Sequence, residues 1–154
     1  MDETIPGKKF LTDVRISAGA GYGFTNGTKL ATLNFQSLLF RRLNGTIGFD
    51  YYFIKDKEER QLKNIFAPTL LLSYNFGTDK EGNELLLGAG ISFENTERLR
   101  PLISLKGNLY LKNSFYLGLE IRQPFLESVP IGSQQLGIFV TPFIGVNLFY
   151  RIIN

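Results

Sequence analysis

The sequence offers few side chains for covalent chemistry. It contains no His and no Cys, which excludes a histidine base, a cysteine nucleophile and a thiolate metal site. Ser104, Lys106, Glu120 and Asp50 remain, and they could support a serine–lysine or a paired-carboxylate mechanism if the fold brought them together. A buried ion network without chemistry is the favoured alternative, because charges enclosed in a narrow interior pair whether or not a reaction occurs.

Six charged residues lie at similar depth when the predicted strands are aligned from one end. They are Asp13, Arg15, Asp50, Lys106, Glu120 and Arg122. Because acids and bases are equal in number, we expect them to pair in an enclosed polar interior. Glycines share these faces, as in Gly19-x-Gly21-x-Gly23 and Gly88-x-Gly90. We interpret them as space for the long charged side chains, since they lie inside strands and not at the strand-to-helix turn of a phosphate loop.

The segment from Phe10 to Phe24 shows the element that must position these charges. Its alternate residues are apolar, with aromatic rings at both ends, and the residues between them include Asp13, Arg15, Ser17 and three glycines. A period of two is typical of a β-strand with one apolar and one polar face. The segment exceeds the roughly 9–11 residues with which a tilted strand crosses a bilayer.

The same alternation recurs in seven further segments, and no helical period appears. These predicted strands are 28–41, 46–55, 65–76, 84–94, 101–112, 115–125 and 135–152. Asn-Gly pairs at 26–27 and 44–45 predict tight hairpin turns, and a charged loop is expected over 55–64. The sequence thus predicts an all-β, eight-stranded antiparallel up-and-down barrel. Short second, fourth and sixth connections would place both termini on the periplasmic side.

Eight antiparallel strands can build two kinds of barrel, which differ in whether the apolar or the polar strand faces point outward. A soluble lipocalin-like, lipid-binding barrel buries its apolar faces, whereas a transmembrane barrel turns them to lipid and fills its lumen with polar side chains. The apolar faces are too bulky for a small lumen, and aromatic residues gather near both strand ends in two girdles, which favours the membrane. The girdle residues are Phe10, Phe24, Tyr51, Phe53, Phe66, Tyr74, Phe76, Phe93, Phe115 and Tyr150.

Length and composition fit one folded domain. The chain has 154 residues, of which 44% are hydrophobic and 14% aromatic, so disorder is not expected. The net charge of +3 is spread along the chain, which predicts no nucleic-acid partner. We expect residues 1–9 to form an extension that lacks signal-peptide features, and residues 10–152 to form the barrel.

In architecture, Phe10 to Ile152 resembles the small eight-stranded outer-membrane barrels, such as the OmpA transmembrane domain and the OmpX/Ail-like proteins. Alternate apolar residues up to Ile152 match the terminal strand of such barrels, although Ile153-Asn154 stand where a terminal aromatic residue is usual. The resemblance implies a bacterial outer-membrane location, contact with outer-membrane lipids and no cofactor or metal. Another envelope protein is an open alternative as a partner.

The resemblance implies a structural or interaction role without enzymatic activity. The protein would be an adhesion or resistance surface, or an accessory subunit of an envelope complex. A general porin is not expected, because eight strands leave no aqueous channel. Outer-membrane enzymes of similar build rely on a His base, which this sequence lacks. A His-independent lipid-modifying enzyme and the soluble lipid-binding barrel remain the alternatives.

Overall fold

Eight antiparallel strands close into a barrel in the computed structural model, which describes residues 12–23, 28–55, 62–94, 98–124 and 142–153. Each strand pairs with the next along the chain, and β1 pairs with β8 to close the barrel. The predicted fold class is therefore confirmed. In these described ranges, no helix is long and apolar enough to cross a membrane. The strands are β1 Thr12–Gly23, β2 Lys29–Phe40, β3 Leu43–Lys55, β4 Leu62–Thr78, β5 Glu84–Glu94, β6 Arg98–Lys112, β7 Phe115–Pro124 and β8 Phe143–Ile153.

The two ends of the barrel differ in their connections. β1 begins and β8 ends at one of them, which we call the terminal end; here residues 41–42, 79–83 and 113–114 join the strands. The other four connections lie at the opposite, loop end, almost entirely outside the described residues. The predicted extension 1–9, the girdle residues Phe10 and Phe24, and the predicted start of the last strand at 135–141 also lie outside them.

The β2–β3 turn lies earlier in the chain than the sequence predicts. Residues 41–42 form it, whereas Asn44 and Gly45 pair with Leu38 and Ser37 inside the ladder. A turn at 44–45 would shift the register by an odd number of residues and set the apolar faces of β2 and β3 on opposite sides of the sheet. The loop predicted over 55–64 is also too long, since β4 already begins at Leu62.

Pro68 interrupts the pairing on one side of β4 only. The β3–β4 ladder runs in register through Phe49 and Pro68, whereas the β4–β5 ladder ends at Thr69 and Ser92. Proline has no N–H to donate to a ladder. The break in pairing at Pro68 therefore lies on the β5 side.

Asp79 organises the β4–β5 turn. Its carboxylate accepts hydrogen bonds from the backbone N–H of Glu81 at 2.9 Å and of Asn83 at 2.8 Å, and from the Asn83 side-chain amide at 2.8 Å. These hydrogen bonds, first of all that from the Asn83 backbone, lower the pKa of Asp79 below its ordinary value. Gly82 has a positive backbone φ of 90° in this turn, a conformation that glycine adopts readily.

The β6–β7 turn holds two residues in the left-handed region, Asn113 at φ 49° and Ser114 at φ 70°. Such two-residue hairpins prefer Asn-Gly, because only glycine adopts this region without strain. We expect Ser114→Gly to raise the free energy of unfolding by about 0.5–1 kcal/mol, measured by urea titration in detergent micelles. Ser114→Ala keeps the Cβ and is the control. An equal gain in both variants would contradict the strain argument.

Candidate functional site: a charge-filled lumen

One face of each strand points into the lumen, and the other face points to the outer surface. Large apolar side chains on all eight strands are 36–59% exposed outside the barrel, whereas the predicted charged residues other than Asp13 are at most 4% exposed. These buried residues are Arg15, Asp50, Lys106, Glu120 and Arg122. A water-soluble barrel would bury the apolar faces and expose the charges. The soluble lipocalin-like alternative is therefore wrong.

Four of the predicted charges gather halfway along the lumen, and we call them the middle cluster: Asp50, Lys106, Glu120 and Arg122. Arg122 contacts Asp50 Oδ2 through Nη1, and its Nη2 lies 3.3 Å from Glu120 Oε1. Ser104 Oγ donates a hydrogen bond to Glu120 Oε1 at 2.6 Å. The Arg122–Asp50 contact crosses the lumen, because β7 and β3 are not neighbours. It ties opposite walls of the barrel together.

Lys106 is held differently from Arg122. Across the part of the chain that the structure describes, no carboxylate is in direct contact with its ammonium; Nζ instead lies 5.1 Å from the centre of the Phe149 ring, a cation–π geometry. Ser104 directs its hydroxyl proton to Glu120, and no hydrogen bond joins Ser104 to Lys106 among the described residues. The serine–lysine pair considered from the sequence is therefore not formed, and the arrangement is one of mutual charge neutralisation.

Asp13 and Arg15 lie nearer the terminal end, in a terminal cluster with Glu84 and Arg151. Arg15 contacts Asp13, and its Nη1 donates to Glu84 Oε2 at 2.6 Å. Arg151 Nε lies 2.7 Å from Asp13 Oδ1. The Tyr116 ring lies 4.2 Å and 5.0 Å from the two guanidinium carbons. Glu84 and Arg151 were missed as members, although their positions in the strand alternation place both on lumen-facing sides.

The six predicted charges therefore do not form one network. Each cluster contains two acids and two bases, and in the described strands no direct contact joins the clusters. Phe149 separates them on β8: Asn147 on one side of it donates to Glu120 at 3.3 Å, and Arg151 on the other contacts Asp13. Phe149 is 0% exposed. Each cluster is thus neutral by itself, as enclosed charges require.

Glycines make room for this packing, but not for the charged side chains. A Cβ at Gly118 would overlap the Phe149 ring, and a Cβ at Gly19 would overlap the Asn147 amide. The ring and the amide can lie against the neighbouring strands β7 and β1 only because these positions lack a side chain. The predicted space-making role is thus seen here, with different occupants from those expected.

The loop end of the lumen is apolar. Leu30, Tyr52, Ala67 and Phe143 form a buried group there, with Ile65 packed against it. The cavity between this group and the middle cluster has a volume of only about 10 Å³, which is about the size that one water molecule needs. From the terminal end to the loop end, the described lumen therefore contains four successive layers: the terminal cluster, the Phe149 ring, the middle cluster and the apolar group.

Comparisons with known proteins agree with this geometry at the level of the fold. No protein-family model and no curated protein matches the sequence. A solved structure described as "De novo design of transmembrane beta-barrels" is similar with a TM-score of 0.63 and 14% identity over 91% of this chain and 95% of that chain. The N-terminal beta-barrel domain of Pseudomonas aeruginosa OprF has a TM-score of 0.62 and 14% identity over 92% and 99% of the two chains. Neisserial surface protein A has a TM-score of 0.57 and 9% identity over 94% and 97%.

The chain has the architecture of the small eight-stranded transmembrane β-barrels. In this barrel, the girdle residues of the described strands point outward near the two ends. At the terminal end, the rings of Phe115 and Tyr150 lie 5.0 Å apart, and those of Tyr74 and Phe76 lie 5.3 Å apart. At the loop end, Tyr51 and Phe53 lie 4.9 Å apart, Phe66 is 45% exposed and Phe93 is partly buried. Phe40 and Tyr22, which the girdle prediction omitted, are also exposed.

Proposed function

We propose that the chain is an integral outer-membrane barrel with a structural or interaction role. It would act as an adhesion or resistance surface, or as an accessory subunit of an envelope complex. The distribution of side chains carries this proposal: balanced charges fill the lumen, and a continuous apolar belt covers the outside. A lipid bilayer is the environment in which such a closed barrel is stable. Its similarity to a protein named Neisserial surface protein A is consistent with a surface location.

Leu148 tests whether the apolar belt faces lipid. It lies halfway along β8, pairs with Ala18 and Leu117, and is 50% exposed. We expect Leu148→Arg to lower the free energy of unfolding in phospholipid vesicles by about 2–4 kcal/mol, because the guanidinium enters the hydrocarbon layer. Urea titration followed by heat-modifiable migration on SDS gels measures the change.

Leu111→Arg is the matched control for Leu148→Arg. Leu111 is 53% exposed but lies at the end of β6, so we expect a loss of only about 0–1 kcal/mol near the interface. Equal effects of the two substitutions would contradict a bilayer around the barrel. A wild-type chain that remains folded and monomeric in buffer without detergent would overturn the membrane proposal altogether.

We propose that the terminal end faces the periplasm. The tight turns at residues 41–42 and 113–114 gather at this end, as short turns do on the periplasmic side of such barrels. Lys80 lies in the third turn of this end, and the sequence has no cysteine to interfere with labelling. We expect Lys80→Cys to resist a membrane-impermeant maleimide in intact cells and to react after the outer membrane is opened. Labelling in intact cells would reverse the orientation.

The lumen supports a role without transport or catalysis. The cavity beside Glu120 and Arg122 has room for about one water molecule, so neither a lipid substrate nor a hydrated ion path fits at the middle cluster. Ser104 donates its hydroxyl hydrogen to Glu120, and Arg122 holds the same carboxylate as its counter-ion. We therefore propose that the charges stabilise the barrel and that its surfaces carry the function.

A further inference from the structure

The lipid-facing surface is not uniform, because a groove of about 620 Å³ crosses it from β1 to β5 in the terminal half of the barrel. Its floor is one row of outward residues that are small except for Leu72, and the Leu39 side chain lies beside Gly45 in this row. Ser37 lies opposite Gly45, Gly45 opposite Leu72, and Leu72 opposite Ala89 in three successive ladders. Larger side chains, among them Phe35, form the walls. Pockets of roughly 300–1,000 Å³ are typical of sites for small ligands, and an apolar lining suits an alkyl chain.

A basic turn lies at the terminal end of this groove. Arg42 is three residues from Gly45, or about 10 Å along a strand. A second outward hollow of about 380 Å³, lined by Arg41 and Arg42 with Phe40, Leu43 and Tyr74, lies between the turn and the groove. An elongated molecule with an apolar tail and a polar head could therefore occupy both.

The two guanidinium groups of this turn are available to an anion. Arg41 lies over the Phe40 ring at 5.1 Å, and Arg42 Nη1 donates to the carbonyl oxygen of Phe76 at 3.5 Å. Neither forms an ion pair with a carboxylate of the described residues, although both also border a hollow of about 380 Å³ that Asp13 and Glu84 line. Guanidinium groups bind phosphate in a forked, two-point geometry, and basic residues beside a membrane attract anionic lipid headgroups.

We infer that this surface binds one anionic phospholipid, with its phosphate at Arg41 and Arg42 and an acyl chain in the groove. The inference rests on the proposed membrane location. An anionic lipid is favoured over a zwitterionic one, because the second guanidinium would repel the ammonium of a zwitterionic headgroup. The occupant is thus identified by its chemistry: a net negative phosphodiester joined to an alkyl chain.

Native mass spectrometry of the barrel released from nanodiscs of mixed phosphatidylglycerol and phosphatidylcholine tests this site. We expect the wild type to retain one phosphatidylglycerol in preference to phosphatidylcholine. Each guanidinium near an anionic surface contributes about fivefold in affinity, so Arg41→Gln with Arg42→Gln should reduce phosphatidylglycerol retention by about 25-fold. Lys112→Gln removes a charge from the end of β6, beside another turn, and should leave retention unchanged.

Ser37→Leu tests the groove separately from the headgroup site. It should fill the floor and reduce retention of both lipids while both arginines remain. Ala18→Leu adds the same bulk to an exposed outward position of β1 outside the groove and should have no effect. Retention that neither the double arginine variant nor Ser37→Leu reduces would overturn the inference. So would a dimer that Ser37→Leu abolishes, because a second copy would then be the occupant.

The result separates this inference from the proposed function. A chain that fails to enter nanodiscs and shows no heat-modifiable form contradicts the membrane proposal itself. A fully inserted barrel that shows no preference for phosphatidylglycerol contradicts only the lipid site.

Discussion

Replacing Arg122 with Met is expected to lower the free energy of unfolding by about 3–5 kcal/mol, because it leaves two buried carboxylates with too little positive charge. Arg122 is the only residue among those described that contacts both Asp50 and Glu120. Asp50 is 0% exposed and also accepts a hydrogen bond from Thr69 Oγ1 at 2.9 Å. Lys106 alone would remain to balance both acids. Urea titration in phospholipid vesicles measures the loss.

The control for Arg122→Met removes the acids together with the base. In a background with Asp50→Asn and Glu120→Gln, Arg122→Met leaves no uncompensated carboxylate, and we expect a far smaller loss than in the wild type. Lys112→Met at the exposed end of β6 should change stability by no more than about 0.5 kcal/mol. An equally large loss from Arg122→Met in both backgrounds would mean that packing of the side chain dominates over its charge.

The fold could be predicted because the alternation of faces is a local property of the chain. Each strand shows its apolar and polar sides within its own sequence, and neighbours along the chain pair through turns. The position of a turn depends on more than its own residues: Asn44-Gly45 has strong turn chemistry, yet these residues lie inside the ladder. The register that sets the apolar faces of β2 and β3 on the same side of the sheet outweighs the local turn preference of Asn44-Gly45.

The contents of the lumen could be predicted only in part. Period two places Arg122 and Asp50 inside, but their contact depends on how far β3 and β7 are shifted along the barrel, which no single strand encodes. Period two also places Tyr116 and Phe149 on the polar faces of their strands, but their packing against the two charge clusters depends on contacts between several strands. Glu84 could have been found, since it shares the lumen-facing side of β5 with Gly88.

The layered lumen connects stability with the proposed role. A barrel that carries its function on its surfaces needs a rigid wall, and side chains that cross the lumen provide one. The Arg122–Asp50 contact joins β7 to β3, and the Arg15–Glu84 contact joins β1 to β5. Both pairs link strands that share no ladder. The ion pairs inside the lumen therefore hold the cross-section of the barrel in shape. The outer groove and the turns keep their geometry only if that cross-section is kept.

Phe149→Ala is expected to lower the free energy of unfolding by about 3–5 kcal/mol, since it removes a fully buried ring and leaves a cavity between the two clusters. It also removes the ring beneath the Lys106 ammonium. Phe49→Ala is the lipid-facing control, because Phe49 is 38% exposed on the outer surface. Lipid tails can fill that space, so we expect only the transfer loss of about 1.5–3 kcal/mol.

A double-mutant cycle with Gly118 tests whether the ring occupies the place that the structure gives it. Gly118→Ala alone should lose about 1–3 kcal/mol, because the new Cβ overlaps the Phe149 ring. In the Phe149→Ala background the overlap is gone, and only the Asn108 amide oxygen, 3.1 Å away, must adjust. We therefore expect Gly118→Ala to be nearly neutral there, with a coupling energy above about 1 kcal/mol. Additive effects would place the ring elsewhere and would remove the barrier between the two charge clusters.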